Sequence, residues 1–139
     1  MNLKSQLNKI DHIGIAVTDL AKAIELYKTM GFDYQGNEVV EDQKVETAFF
    51  SIGESKIELL AATDPASPIA KFIEKNGGRG GIAHIAIRVT DLDAKLADLK
   101  TKGFQLIDEI PKAGAHGMRI AFVHPKSTSG VLLELCERK

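Results

Sequence analysis

The chain has a single cysteine, has no long apolar run, and carries no excess of either charge. One cysteine, Cys136, excludes an intrachain disulfide framework and is typical of a reducing compartment. No apolar run approaches the roughly 20 residues of a membrane span, and the first ten residues do not have the apolar core of a signal peptide. The net charge of −1 indicates neither a basic nucleic-acid surface nor a polybasic membrane arm. We therefore expect a cytoplasmic protein that binds neither nucleic acid nor membranes.

The chain does contain an internal repeat. The segment IDHIGIAVTDL at residues 10–20 returns as AHIAIRVTDL at residues 83–92. A histidine, a Val-Thr-Asp-Leu run and a Gly-Phe pair each occur twice, 72 residues apart, beginning at His12 and His84, Val17 and Val89, Gly31 and Gly103. A repeat of this length indicates two copies of one structural unit.

Each copy has the pattern of a βαβββ module. The alternation of branched and small residues predicts a strand over residues 10–17, and Asp19 is a good N-cap for the helix that follows. Three further strands complete the module. The predicted organisation is a single α+β domain over residues 1–139, with modules at 8–61 and 82–137 and an ordered linker with a short helix at 62–81.

The second module repeats this order of elements. Its first strand carries His84, Ala86 and Arg88 on one face. We expect a strand over residues 104–110, corresponding to the second strand of the first module. A glycine-containing loop is expected over residues 111–117 before the last two strands.

The repeat places two histidines and two glutamates at equivalent positions. His12 and His84 lie near the starts of the first strands, while Glu58 and Glu134 lie in the last strands between apolar neighbours. A lone histidine in a strand is usually structural, but an unpaired glutamate is very costly to bury. Two imidazoles and two carboxylates would form a divalent metal site with two open positions for a bidentate oxygen ligand. For His116 and His124, which do not follow the repeat, we expect structural or substrate-edge roles.

These residues belong to longer segments that resemble a known family. The segments are DHIGIAVTDLAKAIELY, IELL, SPIAKFIEKNGG, HIAIRVTDLDA and GAHGMRIAFVHPKSTSGVLLEL. Together they resemble the vicinal oxygen chelate superfamily, which includes glyoxalases, bleomycin resistance proteins and dioxygenases, and within it the methylmalonyl-CoA epimerases. The resemblance covers nearly the whole chain. It implies two tandem βαβββ modules that form a glyoxalase-like fold.

The resemblance also implies an activity and a set of site residues. The expected reaction interconverts the 2R and 2S epimers of methylmalonyl-CoA by an α-proton shift through a metal-stabilised enolate. The implied metal ligands are His12, Glu58, His84 and Glu134; the implied acid–base residues are Glu46 and Glu134. Some family members have glutamine at the position of Glu58. We expect one divalent ion, cobalt or manganese with zinc or nickel as alternatives, a CoA thioester substrate and a homodimer.

Some assignments have alternatives. Glu46 could instead be a solvated strand residue, and Lys126 could bind a substrate carboxylate or phosphate, or be a solvated turn residue. The chain could also be a glyoxalase I-like lyase or another enzyme of the superfamily, such as an extradiol dioxygenase with a facial triad. A non-catalytic ligand-binding module is a further alternative, although such modules usually lose the four ligands.

Overall fold

The structure, a computed structural model, describes residues 6–138. These residues form two compact units, one of residues 12–83 and one of residues 6–11 together with 84–138. The unit boundaries fall within the first strand of each module, whereas the sequence places the division at the linker. Half of the N-terminal segment that we compared with a signal peptide, residues 1–5, lies outside the described residues. Within residues 6–138, each helix is too short or too polar to cross a membrane.

The unit of residues 12–83 contains residues 12–61 of the first predicted module and the whole linker. Its strands follow the order β2-β3-β4-β1, with β1 parallel to β4 and the other neighbours antiparallel. The elements, of which β1 begins in the other unit, are β1 (Leu7–Ala16), α1 (Leu20–Thr29), β2 (Asp33–Val40), β3 (Val45–Ile52), β4 (Ser55–Ala62) and α2 (Pro68–Lys75). The predicted βαβββ order is confirmed here.

Helix α1 covers one face of these strands. The Asp19 side chain caps the helix by accepting a hydrogen bond from the backbone N–H of Lys22 at 3.1 Å. Ala23 packs against Ala48, Phe50 and Leu59, all of which are buried. Because side chains alternate along a strand, this packing fixes which residues of β3 and β4 point away from α1.

The linker contains the short helix α2. Ser67 caps α2 by accepting a hydrogen bond from the backbone N–H of Ile69 at 3.1 Å, and Pro68 occupies the first turn. Beyond α2, Gly80 passes directly against the end of β1. A Cβ at this position would lie 2.2 Å from the carbonyl oxygen of Ala16, so the approach requires glycine.

The other unit repeats the arrangement of a parallel first strand and a covering helix. Its strands follow the order β5-β8-β7-β6, and β5 is parallel to β8. Leu92 and Leu96 of the helix are buried against Val123 and Leu135 of the strands. The elements, of which β5 begins in the first unit, are β5 (Gly81–Val89), α3 (Leu92–Thr101), β6 (Lys112–Ala113), β7 (Arg119–Val123) and β8 (Leu133–Glu137).

The strand predicted over residues 104–110 is wrong. This segment forms only an isolated bridge between Leu106 and Val123, and the short strand β6 lies within the predicted loop instead. The Asp108 carboxylate accepts the backbone N–H of Phe122 at 2.9 Å, while the N–H groups of Ile107 and Asp108 both point to the Phe122 carbonyl. These bonds replace a regular ladder, because a side chain takes the donor that a neighbouring strand would have used.

Candidate metal and acid–base site

In the unit of residues 12–83, strand register places a histidine and a glutamate on one face. Gly14 of β1 is the partner of Glu58 in β4, so His12, two residues before Gly14, has its side chain on the face of Glu58. Ile13 and Ile15 pair with Ile57 and Leu59 on the face that packs against α1. The predicted alternation of β1 is therefore correct, and His12 and Glu58 lie on the face away from the helix.

The two side chains are in contact. The Nδ1 atom of His12 lies 3.2 Å from Oε2 of Glu58. Both residues are buried, with 6% of His12 and 7% of Glu58 exposed. A carboxylate this deeply buried needs a cation or hydrogen-bond donors around it, because an isolated buried charge is very costly.

The other unit contains the equivalent pair. Ala86 of β5 is the partner of Glu134 in β8, and His84 lies two residues before Ala86. The Nε2 atom of His84 lies 3.3 Å from Oε1 of Glu134, and both residues are buried. The Phe122 ring meets the His84 ring edge-on, with 5.7 Å between ring centroids, and so limits its rotation. The two His–Glu pairs are therefore equivalent in strand register and in side-chain contact as well as in chain position.

The donor chemistry of each pair fits a divalent cation. Imidazole nitrogen and carboxylate oxygen are ligands for zinc and for the other first-row divalent metals. In each pair the two potential ligand atoms approach closely in a buried setting, and the same strand face carries a small residue, Gly14 in one unit and Ala86 in the other. The assignment of all four side chains to one ion remains a prediction.

Glu46 lies on the face of β3 opposite to the one that adjoins Glu58. In the antiparallel β3–β4 pair, Phe49 is the partner of Glu58, whereas Glu46 is the partner of Ala61. Since 46 and 49 differ by an odd number, the Glu46 side chain points to the face that α1 covers elsewhere. Its Oε2 accepts a hydrogen bond from Nδ2 of Asn37 at 3.0 Å, and Asn37 Oδ1 accepts from the Tyr34 hydroxyl. The structure thus does not bring Glu46 to the His12–Glu58 pair.

The other sequence-predicted residues lie in turns of the second module. Lys126 is exposed in a short 3₁₀ turn, and its backbone N–H donates to Nδ1 of His124 at 3.0 Å. His124 therefore caps this turn, which is a structural role of the kind expected for it. His116 occupies a left-handed backbone conformation with φ of 56° in the loop before β7.

The sequence does not predict the ion pair between Arg88 and Asp11, the residue that precedes His12 in the chain. Nε and Nη2 of Arg88 donate to Oδ1 of Asp11 at 3.0 and 2.6 Å, and only 3% of Asp11 is exposed. Burial lowers the pKa of Arg88, but the hydrogen bonds and charges of Asp11 and Cys136 together outweigh this effect and leave the pKa raised. The sequence predicts that Arg88 shares a strand face with His84, but no local pattern indicates a partner 77 residues away.

Comparison with known proteins first defines the class of this chain. A family model described as the Glyoxalase/Bleomycin resistance protein/Dioxygenase superfamily matches residues 11–122. The chain belongs to this superfamily, and its two βαβββ modules have the glyoxalase-like fold that the sequence predicted. The match contains His12, Glu58 and His84 and ends before Glu134.

Several similar proteins are methylmalonyl-CoA epimerases. The chain is 40% identical to the human mitochondrial methylmalonyl-CoA epimerase over 130 residues, which are 93% of this chain and 73% of that protein. A solved structure of a methylmalonyl-CoA epimerase in complex with methylmalonyl-CoA and NH4+ is 40% identical, with a TM-score of 0.90 and 96% coverage of each chain. The chain is also 43% identical over 134 residues, 96% of this chain and 94% of that protein, to a Bacillus subtilis (strain 168) protein called uncharacterized protein YqjC.

Proposed function

We propose that this protein is a metal-dependent enzyme that interconverts the two epimers of methylmalonyl-CoA. The observation that carries the proposal is the pair of buried His–Glu contacts at equivalent registers of two modules, in a chain about 40% identical to methylmalonyl-CoA epimerases. The relative solved with methylmalonyl-CoA supports a CoA thioester as the substrate.

We infer that His12, Glu58, His84 and Glu134 together hold one divalent ion. The buried carboxylates support this inference, because each needs positive charge or donors close to it. When bound, the ion would act as a Lewis acid that stabilises negative charge developing on the substrate oxygens. Cobalt or manganese is our first expectation, and zinc or nickel the alternative.

The reaction requires the α-hydrogen to leave one face of the carbon and a proton to arrive on the other. General acid–base groups on two sides of the substrate perform such a shift. The resemblance predicts Glu134 for one of these roles and Glu46 for the other. The Asn37 hydrogen bond and the strand face of Glu46 weigh against the second assignment, which Glu46→Gln tests directly. Lys126, exposed in its turn, is available to contact a carboxylate or phosphate of the substrate.

The proposed function is tested with single-epimer methylmalonyl-CoA in heavy water. Metal-loaded protein should produce the other epimer and incorporate deuterium at the α-carbon, because the base exchanges its proton with solvent. Absence of both, together with turnover of the hemithioacetal of methylglyoxal and glutathione, would instead indicate a glyoxalase I-like lyase. Absence of metal and of any turnover would favour a non-catalytic binding module.

Two further expectations accompany this proposal. We expect a homodimer, which light scattering on a sizing column would measure directly. We also expect a cytoplasmic location. The buried free thiol of Cys136 is consistent with a reducing compartment, and cell fractionation with a specific antibody would test the location.

A further inference from the structure

The face that carries His12 and Glu58 also carries Glu38, a carboxylate that is not among the predicted site residues. On β2, Glu38 is the partner of Thr47 in β3, and Thr47 is the partner of Leu60 in β4. Leu60 lies two residues from Glu58, so Glu38, Thr47 and Glu58 share one face. A register shift between Tyr34 and Asn37 determines this placement, because one residue of slip would turn Glu38 to the helix-covered side.

The separation of Glu38 from the His–Glu pair is suitable for a substrate between them. Glu38 lies two strands across and one side-chain row along from Glu58, which corresponds to about 12 Å between the Cα atoms at ordinary strand spacings. Thr47, a small side chain that is 2% exposed, lies in the row between β2 and β4. Two carboxylates pointing from the same face at this spacing leave room for a short acyl group.

One other β2 carboxylate shares this face and provides a comparison. Asp33 is the partner of Ser51, and Ser51 also lies on the face of Glu58. Asp33 and Ser51 are both exposed, whereas Glu38 is half-buried beside a buried residue. Of these two β2 carboxylates, only Glu38 combines the face of Glu58 with partial removal from solvent, which strengthens the interactions of a charged group.

We propose that Glu38 is the acid–base residue that exchanges a proton with the α-carbon from the side of β2. This inference rests on the proposed epimerase function. A carboxylate that ligates a metal is a weakened base, so the second group should lie away from the ligands, and Glu38 does. Glu46, the residue expected from the resemblance, lies on the other face.

The step is a proton transfer with no change of oxidation state. The Glu38 carboxylate takes the α-hydrogen as a proton, and the electron pair of the C–H bond moves into the enolate. A protonated group on the opposite side of the substrate then delivers a proton to the same carbon as the enolate pair re-forms the C–H bond. In the reverse direction Glu38, now protonated, is the donor.

The test compares Glu38→Gln with Asp33→Asn in metal-loaded protein, using each methylmalonyl-CoA epimer separately in heavy water. We expect Glu38→Gln to slow interconversion in both directions by about 100-fold or more. Exchange of the α-hydrogen should fall for one epimer and persist for the epimer whose hydrogen faces the other group. This asymmetry would not arise from a merely structural defect. Asp33→Asn should change the rates by less than about threefold, as expected for an exposed side chain away from the reacting atoms.

Two further measurements test the role of Glu38: the metal content of the variant, and rescue by a carboxylate placed on the neighbouring strand. Glu38→Gln should retain the wild-type metal content by elemental analysis. Because Glu38 and Thr47 are direct partners, adding Thr47→Glu to Glu38→Gln should restore part of the lost rate. Wild-type interconversion with an unimpaired Glu38→Gln variant would overturn this inference and leave the epimerase function intact. A larger loss in Glu46→Gln, or loss of metal in Glu38→Gln, would also overturn it, whereas an inactive wild-type protein would overturn both proposals.

Discussion

The Nδ1 atom of His12 lies 3.2 Å from Oε2 of Glu58, although 46 residues separate them in the chain. Parallel pairing of β1 with β4 produces this contact, and the pairing of β5 with β8 produces the same relation between His84 and Glu134. In each case the histidine lies two residues before the partner of the glutamate. The repeated register makes four buried polar side chains a structural feature of the duplicated module.

Metal removal should inactivate and destabilise the protein. We expect about one divalent ion per chain and loss of epimerase activity after chelation, with activity restored by added metal. An ion that binds only the folded state adds about 2.7 kcal/mol to the free energy of unfolding at a free concentration 100 times its Kd. Elemental analysis and thermal unfolding measure the two effects. Full activity in protein shown to be metal-free would contradict this prediction.

The two repeat histidines should control metal occupancy. His12→Ala and His84→Ala each remove one predicted ligand, so each should lower the bound metal measured by elemental analysis and calorimetric titration. His116→Asn is the matched control, because asparagine tolerates the left-handed conformation at this position. Metal lost from the His116 variant but retained in the His84 variant would show that the assigned ligands are wrong.

The Arg88–Asp11 ion pair should contribute measurably to stability. Arg88→Leu leaves the Asp11 carboxylate buried without its guanidinium partner, which we expect to lower the free energy of unfolding by about 3 kcal/mol. Arg79→Leu, at an exposed arginine, should change it by less than about 0.5 kcal/mol. Urea unfolding of both variants makes the comparison, and equal midpoints would contradict a stabilising role for the pair.

Cys136 should be unreactive in the folded protein. Burial, with the charges of Asp11 and Glu134, raises the pKa of its thiol, so it remains protonated at neutral pH. Alkylation by iodoacetamide, followed by mass spectrometry, should be on the order of 100-fold slower in buffer than in urea. The unfolded thiol ionises first as pH rises. The associated stability is therefore present below the unfolded pKa and is lost as pH rises above it. Equal labelling rates in the two conditions would show that Cys136 is accessible.

The amino-acid sequence alone determined the repeat, the order of elements in the first module and which residues of β1 face the helix. These features are local or periodic: Asp19 caps α1, and alternating side chains separate His12 from Ile13 whatever the partner strand is. The same patterns singled out Glu58 and Glu134 as candidate metal ligands, since a glutamate between apolar residues in a strand is an unusual surface residue.

Only the tertiary structure decided which face the third and second strands present. The side of Glu46 and Glu38 relative to Glu58 depends on the β3–β4 register and on the shift between Tyr34 and Asn37, and one residue of slip would reverse it. The residues 104–110 also needed tertiary information, because the Asp108 side chain takes the Phe122 donor that a ladder would use. The Asp11–Arg88 contact has the same origin, since neither residue carries a local pattern that reveals a partner 77 positions away.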